Sequence, residues 1–298
     1  MIGLVVLFIL AFAGIEKYEE GNSDPINNPN WKQELETQIG YDKQALDEMG
    51  KTNSNLKMFY EREIAIKEYQ LEHELAPQNE KHVWSFVNSA QAAISFAGLF
   101  TIIIAAGIVA SEFSWGTVKL LLIRPLSRSK ILLSKYFTVG LFGLLLLAII
   151  YILSTLVGLL LFGLPSSEVP HLAYVNGEVV ERNIALHLIG QYFLSSIDIL
   201  MIATMAFMIS AVFRNSSLAI GISLFLFFMG GTATMLLASR FEWTKYILFA
   251  NTNLSVYFEG VPPIEGMTLT FSIIMLLLYF VVFHLLAFSV FRKRDVAA

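Results

Sequence analysis

The sequence contains no cysteine, which excludes disulfides and thiolate metal sites. It is also poor in charge: 15% of its 298 residues are Asp, Glu, Lys or Arg, against roughly 25% in an ordinary soluble domain. Catalytic spacings are missing too. His73, His82, His171, His187 and His284 form no H-E-x-x-H or comparable metal spacing, so the sequence points to no metal ligands. No G-x-S-x-G elbow occurs, and no Ser/His pair can be argued into a triad. Ala45 to Thr52 (ALDEMGKT) loosely resembles a phosphate-binding loop, with alanine in place of the first glycine. That chemistry needs a strand, a glycine loop and a helix, whereas this stretch lies in an acidic helical segment. A helix end at Gly50 is the plainer reading. The chain therefore implies no cofactor and no catalytic residue of its own, and any energised work draws on another chain.

What the sequence has instead is hydrocarbon. It is 56% hydrophobic, with mean hydropathy +0.64. Val83 to Ser111 holds no charged side chain, nor does Tyr136 to Ser167, and each exceeds the ~20 residues a helix needs to span ~30 Å of bilayer core. Between them Lys119, Arg124, Arg128, Lys130 and Lys135 stand against one acid, Glu112. Short basic loops between spans face the cytoplasm. Further spans are expected at about His187 to Phe213, Leu218 to Ala238 and Thr268 to Phe291. The last is followed by the basic run Arg292-Lys293-Arg294.

The expected fold is an all-α polytopic membrane protein with six transmembrane helices and an extracytoplasmic helical hairpin between the first and second. Residues 1–15 form the first transmembrane helix. Met1 to Ile15 is uncharged but only ~22 Å long as a helix, and it reads either as a signal peptide or as a spanning helix whose inner end is missing. The lack of a basic n-region favours the second. Residues 16–83 carry eight Lys/Arg and fifteen acids and form the hairpin, with helices at Trp31 to Met49 and Leu56 to Leu75. So acidic a surface excludes nucleic acid as a partner. Residues 84–298 form a five-helix membrane region with the cytoplasmic loop 111–136. Pro165 to Arg182 is a short polar excursion. Arg240 to Gly266, with aromatics among polar residues, suits interfacial or re-entrant short helices.

Inside the membrane, Asp198 is the costliest residue, because an acid at the bilayer centre costs ~2.5–3.5 kcal/mol. It marks either a transport path or a hydrogen-bonded packing group near Ser195 or Ser196. Gly140, Gly143, Gly230 and Gly231 suit close helix packing. In the basic loop Gly116-Thr117 breaks the chain direction, Val118 and Leu120 to Leu122 form an apolar turn, Pro125 ends it, and Ser127 caps the next helix. A loop that only sets orientation needs the cations but not the greasy turn.

These residues, Glu112-x3-Gly116-Thr117, Leu120-Leu121, Pro125, Arg128 and Lys135, resemble the E-x3-G-T…L-L…P…R…K signature of ABC-2 type permeases. The six-span layout is similar as well, closest to Bacillus-type permeases of bacitracin and other peptide-antibiotic exporters. The resemblance implies a permease subunit in the bacterial plasma membrane, acting as a homodimer or heterodimer in membrane lipid with a separate ATP-binding subunit. It would export an antimicrobial peptide, drug or lipid-like molecule. Glu112, Phe113, Gly116, Thr117, Leu120, Leu121, Pro125 and Arg128 would couple to that ATPase, and Asp198 would line the path. Members of that family carry a cytoplasmic amphipathic helix before the first span, which this sequence does not show. The other readings are a non-transporting sensor or scaffold that binds an envelope ligand through the hairpin, and a membrane-embedded hydrolase, which the absent catalytic spacings disfavour.

Overall fold

Each long uncharged run folds as a helix, because a backbone in hydrocarbon must satisfy its own hydrogen bonds. The structure is a computed structural model and describes residues 1–22, 29–49, 53–76, 81–117, 127–165, 170–175, 177–213 and 215–293. In chain order it has α1 (Ile2–Asn22), α2 (Trp31–Met49), α3 (Ser54–Glu72), α4 (Val83–Ser89), α5 (Ile94–Gly107), α6 (Ala110–Ser114) and α7 (Arg128–Leu161). Then come strands β1 (Pro170–Val175) and β2 (Glu178–Asn183), α8 (Ile184–Val212), α9 (Ser216–Ala238), α10 (Leu248–Asn251) and α11 (Leu269–Lys293). A 3-10 turn at Ala90–Ala93 joins α4 to α5, and two more flank α10.

Five helical stretches are long and apolar enough to cross a membrane: Val83–Gly107, Arg128–Leu161, Ile184–Val212, Ser216–Ala238 and Leu269–Lys293. They coincide with the five spans expected after the first. α1 is not among them, since its uncharged part ends at Ile15 and Glu16, Lys17, Glu19 and Glu20 follow within the same helix. It is nonetheless docked. Val5, Ile9 and Ala13, one helical stripe, are buried against α7 and the 3-10 turn after α4, and Glu16 pairs with Lys81 just before α4.

α8 is the central helix. It packs on α4, α5, α7, α9 and α11, and its run Met201–Phe207 is buried on every side. A helix buried all round belongs in the middle of a bundle. α7, α9 and α11 instead turn Leu141, Leu160, Phe225, Met235, Leu277 and Leu285 outward. An apolar surface this extensive suits lipid, not water.

α2 and α3 run antiparallel, held by the pairs Lys43–Glu68 (2.7 Å), Lys67–Asp42 (2.5 Å) and Lys32–Glu74 (2.6 Å). α3 starts at an Asn53 cap that accepts from the Asn55 and Leu56 amides. The Asn55 side chain then donates to Pro262 O (3.1 Å) and Ile264 O (3.0 Å), and Tyr69 reaches Glu181 of β2 at 3.3 Å. The α2–α3 pair thus leans on the β1–β2 ribbon and on the loop before α11.

Two boundaries differ from expectation. α7 begins at Arg128 rather than near Phe137, because the Ser127 hydroxyl caps it by accepting from the Lys130 amide. Arg128, Lys130 and Lys135 are therefore helical, with aliphatic stems along the helix and charged heads at its end. The excursion after Pro165 is not simple loop: β1 and β2 pair from Pro170↔Asn183 to Val175↔Glu178. The two residues between are Asn-Gly, a strong tight-hairpin signal.

The loop before α11 lies deep along the bundle. Asn251, fully buried, donates to Lys245 O and Ile247 O (2.8 Å each) and accepts from Ser272 at 2.7 Å. Tyr279, ten residues into α11, donates to Tyr246 O at 2.8 Å. The short helix α10 thus packs against both α9 and α11. A close approach fixes it. A Cβ on Gly230 of α9 would stand 2.5 Å from the Phe249 ring. Gly230→Ala is therefore expected to destabilise the detergent-solubilised protein by about 1–3 kcal/mol, and Phe249→Leu in the same chain to restore much of that. An unchanged unfolding temperature in the single variant would contradict this packing.

Candidate functional site

The helix ends beside the basic loop are assembled around one lysine. α5 stops at Gly107 and the chain restarts in the short α6, which leaves carbonyls and amides at the break unpaired within a helix. Ser210 of α8 serves the donors, its Oγ accepting from the Val109 (3.2 Å) and Ala110 (3.0 Å) amides. Lys135 of α7 serves the other side. Its Nζ donates to Ile108 O at 2.6 Å and to Glu112 Oε1 at 2.5 Å. A cation belongs at a carbonyl end of a helix, and here it also neutralises an acid. The two side chains are only 14% and 18% exposed, and Glu112 Oε2 is buried with no hydrogen-bond partner among the described residues.

Around this pair the other helix ends gather. Phe113 meets Phe291 of α11 edge-on at 6.2 Å. The Ser216 amide at the start of α9 donates to Ser114 Oγ at 3.1 Å, and Arg128 donates to Arg292 O at 3.3 Å. Gly116, at φ +72°, turns the chain as its sequence position suggested, and the Thr117 hydroxyl donates to Glu112 O at 3.4 Å. The structure thus places Glu112, Phe113, Gly116, Thr117 and Arg128 at one end of the bundle. Leu120, Leu121 and Pro125 lie outside the described residues, as does the whole of the apolar turn. Lys135, counted in the sequence with the loop, is the helical residue that holds the loop's root.

Asp198 opens into a cavity of about 390 Å³ between α5, α8, α9 and the loop before α11, with Ile94, Ser195, Phe227, Phe249 and Thr252 among its walls. Thr252, carried by the loop before α11, lines the same cavity. Ser195 and Ser196 bond back to Gln191 O and Phe193 O of their own helix. Asp198 lies fourteen residues into α8, about 20 Å from its start. Thr252 therefore sits well inside the bundle.

The opposite end holds a cluster that the sequence gave no means of finding. His171 of β1, His187 in the first turn of α8 and Glu259 converge so that their ligating atoms all lie within 4.8 Å of one another. Burial pushes the Glu259 carboxyl up, but hydrogen bonds and charge from His171 and His187 outweigh it, and the group is held well below the usual carboxylate range. Intervals of 16 and 72 residues match no metal motif. Only the ribbon and the loop before α11 bring the three together.

Sequence comparisons give a family and no activity. The family model described as "Protein of unknown function (DUF2705)" matches residues 53–297. The uncharacterized protein YhcI of Bacillus subtilis (strain 168) is 50% identical over 299 residues, covering 100% of this chain and 93% of its own. From the same bacterium, the uncharacterized membrane protein YdbK is 37% identical over 199 residues, 66% of this chain and 76% of its own. Five helices long and apolar enough to cross a bilayer suit a membrane location, and YdbK is described as a membrane protein.

The Lys135–Glu112 pair makes a quantitative prediction. Lys135→Met leaves a buried acid unpaired and is expected to cost on the order of 3 kcal/mol. Combined with Glu112→Gln it should cost clearly less than the sum of the single changes, with a coupling of about 1 kcal/mol or more. Denaturant unfolding of the four proteins in detergent measures the cycle. Additive effects, within about 0.5 kcal/mol, would mean that the two groups do not depend on each other.

Proposed function

The chain belongs to the family described as "Protein of unknown function (DUF2705)", and we propose that it is the membrane-spanning permease subunit of an ATP-driven exporter of the ABC-2 type. The observation that carries the reading is the Lys135–Glu112 pair beneath the basic loop. A loop that only orients a protein needs net charge. It has no need of two opposite charges withdrawn from water at its root, where desolvation costs several kcal/mol per ion unless the geometry repays it. Such a root suits a loop that bears force. Both its ends are anchored, one at α6 through Glu112 and Ser210, the other at α7 through Ser127 and Lys135.

On this reading residues 118–126 dock on a separate ATP-binding subunit, and its ATP-driven closure pushes on α5, α7 and α8. α5 and α8 also line the cavity that holds Asp198, so motion at the loop changes the shape of the path. A cavity with two phenylalanines and one acid suits an amphiphilic substrate with a cationic group, such as a peptide, a drug or a lipid-like molecule. Its volume falls at the small end of the usual ligand range of about 300–1,000 Å³. Two permease copies, identical or related, complete the path within the bacterial plasma membrane. α1 serves as the sixth span, and α2–α3, the ribbon and the outer part of the loop before α11 form an extracytoplasmic cap.

Leu121→Asp tests the coupling. A carboxylate placed in an apolar groove costs several kcal/mol, and each ~1.4 kcal/mol is tenfold in affinity. The variant should insert and express normally, yet lose co-purification with the ATPase and ATP-dependent transport. Asp198→Asn should keep the complex and lose transport. A Leu121→Asp protein that still binds the ATPase and still transports would refute the coupling role.

A further inference from the structure

We propose that His171, His187 and Glu259 form a zinc site that clasps the polar cap to the bundle, a role that stands whether or not the chain is an exporter subunit. The three residues come from different parts of the fold. His171 is the second residue of β1, His187 the fourth of α8, and Glu259 follows the 3-10 turn Leu254–Tyr257. Both imidazole Nε2 atoms point at one carboxylate oxygen, His171 at 3.2 Å and His187 at 2.6 Å from Glu259 Oε1. The side chains are 24%, 15% and 41% exposed, so an ion can reach them from solvent without the fold opening.

The donor set fits zinc. Two neutral imidazole nitrogens and a carboxylate oxygen are the ligands of open tetrahedral zinc sites, with bonds of about 2.0–2.2 Å. At that bond length ligand atoms of a tetrahedron stand about 3.3 Å apart. The Nε2–Oε1 distance of His171 already matches, and that of His187 must lengthen by several tenths of an ångström. The rings stack face to face, 3.5 Å between centroids and 13° from parallel. Binding opens that stack into a wedge, so that both lone pairs meet at one point. With three protein ligands the fourth position stays open to water or to an external ligand.

An ion pair alone accounts less well for the arrangement. As an ion pair, the arrangement would set two like charges face to face, 3.5 Å between ring centroids, while both share one carboxylate oxygen. Nor is Glu259 engaged elsewhere by the neighbouring cation. Arg62 donates to Gly260 O at 3.4 Å, and its own charge is paired with Glu63 at 3.4 Å. Zinc bound here would tie the ribbon, the start of α8 and the loop before α11 at a single point. Through that loop the tie reaches Thr252 and the Asp198 cavity.

The test uses the full chain purified in detergent without a histidine tag, titrated with Zn²⁺ alone and, for spectroscopy, with Co²⁺. One Zn²⁺ per chain is expected, with intense visible absorption from tetrahedral Co²⁺ and an unfolding temperature that rises with zinc. His187→Gln keeps a hydrogen-bond donor toward Glu259 but offers no ligating imidazole. It should weaken binding by at least about 100-fold, the upper end of what losing even an outer-shell partner costs. His73→Ala, a histidine elsewhere on the chain, should leave binding unchanged. Absence of wild-type binding below 100-micromolar-scale zinc (about 10⁻⁴ M, the weak end of specific cation sites) would overturn the site. So would zinc binding that survives in both His171→Gln and His187→Gln.

Discussion

The structure depends on a cation placed where two helices are interrupted. Lys135 bonds the carbonyl of Ile108, just past α5, and the acid of α6 at once, 2.6 Å from Ile108 O and 2.5 Å from Glu112 Oε1. Without it α5 would end in open carbonyls beside a buried carboxylate, each costly away from water. With it the adjoining ends of α5, α6 and α7 become one rigid corner, and Ser210 ties that corner to α8. α9 and α11 join through Ser114 and Arg128. This end of the bundle is therefore cross-linked by polar contacts, whereas its flanks are plain hydrocarbon.

The other end is built on a different principle. There the chain folds back into the bundle, and Asn251 replaces the missing helix by satisfying three partners at Lys245, Ile247 and Ser272. Irregular backbone at that depth is tolerated only where protein encloses it. The same loop carries Thr252, which lines the Asp198 cavity, and Glu259 of the histidine cluster, seven residues further on. α8 is common to both ends, carrying His187 near its start, Asp198 in its middle and Ser210 near its finish.

Much of this was legible in the residues. Uncharged runs located five helices because length and apolarity alone decide whether a segment can cross a bilayer. The limits of α2, Trp31–Met49, followed from the polar, turn-forming stretches that flank it. Other features were illegible for physical reasons. Arg128, Lys130 and Lys135 looked like loop because charge argues against a span, yet long stems let those residues ride on a helix end. The ribbon went unread although Asn-Gly between Val175 and Glu178 advertised it. Thr252 and Glu259 could not be assigned to their neighbours, since an irregular loop leaves no periodicity that predicts where it packs. The pairing of Lys135 with Glu112 lay between: both residues belonged to the resemblance, but only the fold shows them in contact.

An exporter subunit of this design has its Lys135–Glu112 end in the cytoplasm and its α2–α3 pair outside. Because the chain has no cysteine, single cysteines report that directly and without background. Tyr41 of α2 is 69% exposed and Trp115 beside Gly116 is 78% exposed, so replacing either disturbs little packing. In intact cells a membrane-impermeant thiol reagent should modify Tyr41→Cys and spare Trp115→Cys, which should react only after lysis. Modification of Trp115→Cys from outside, with protection of Tyr41→Cys, would contradict the orientation and the function argued from it.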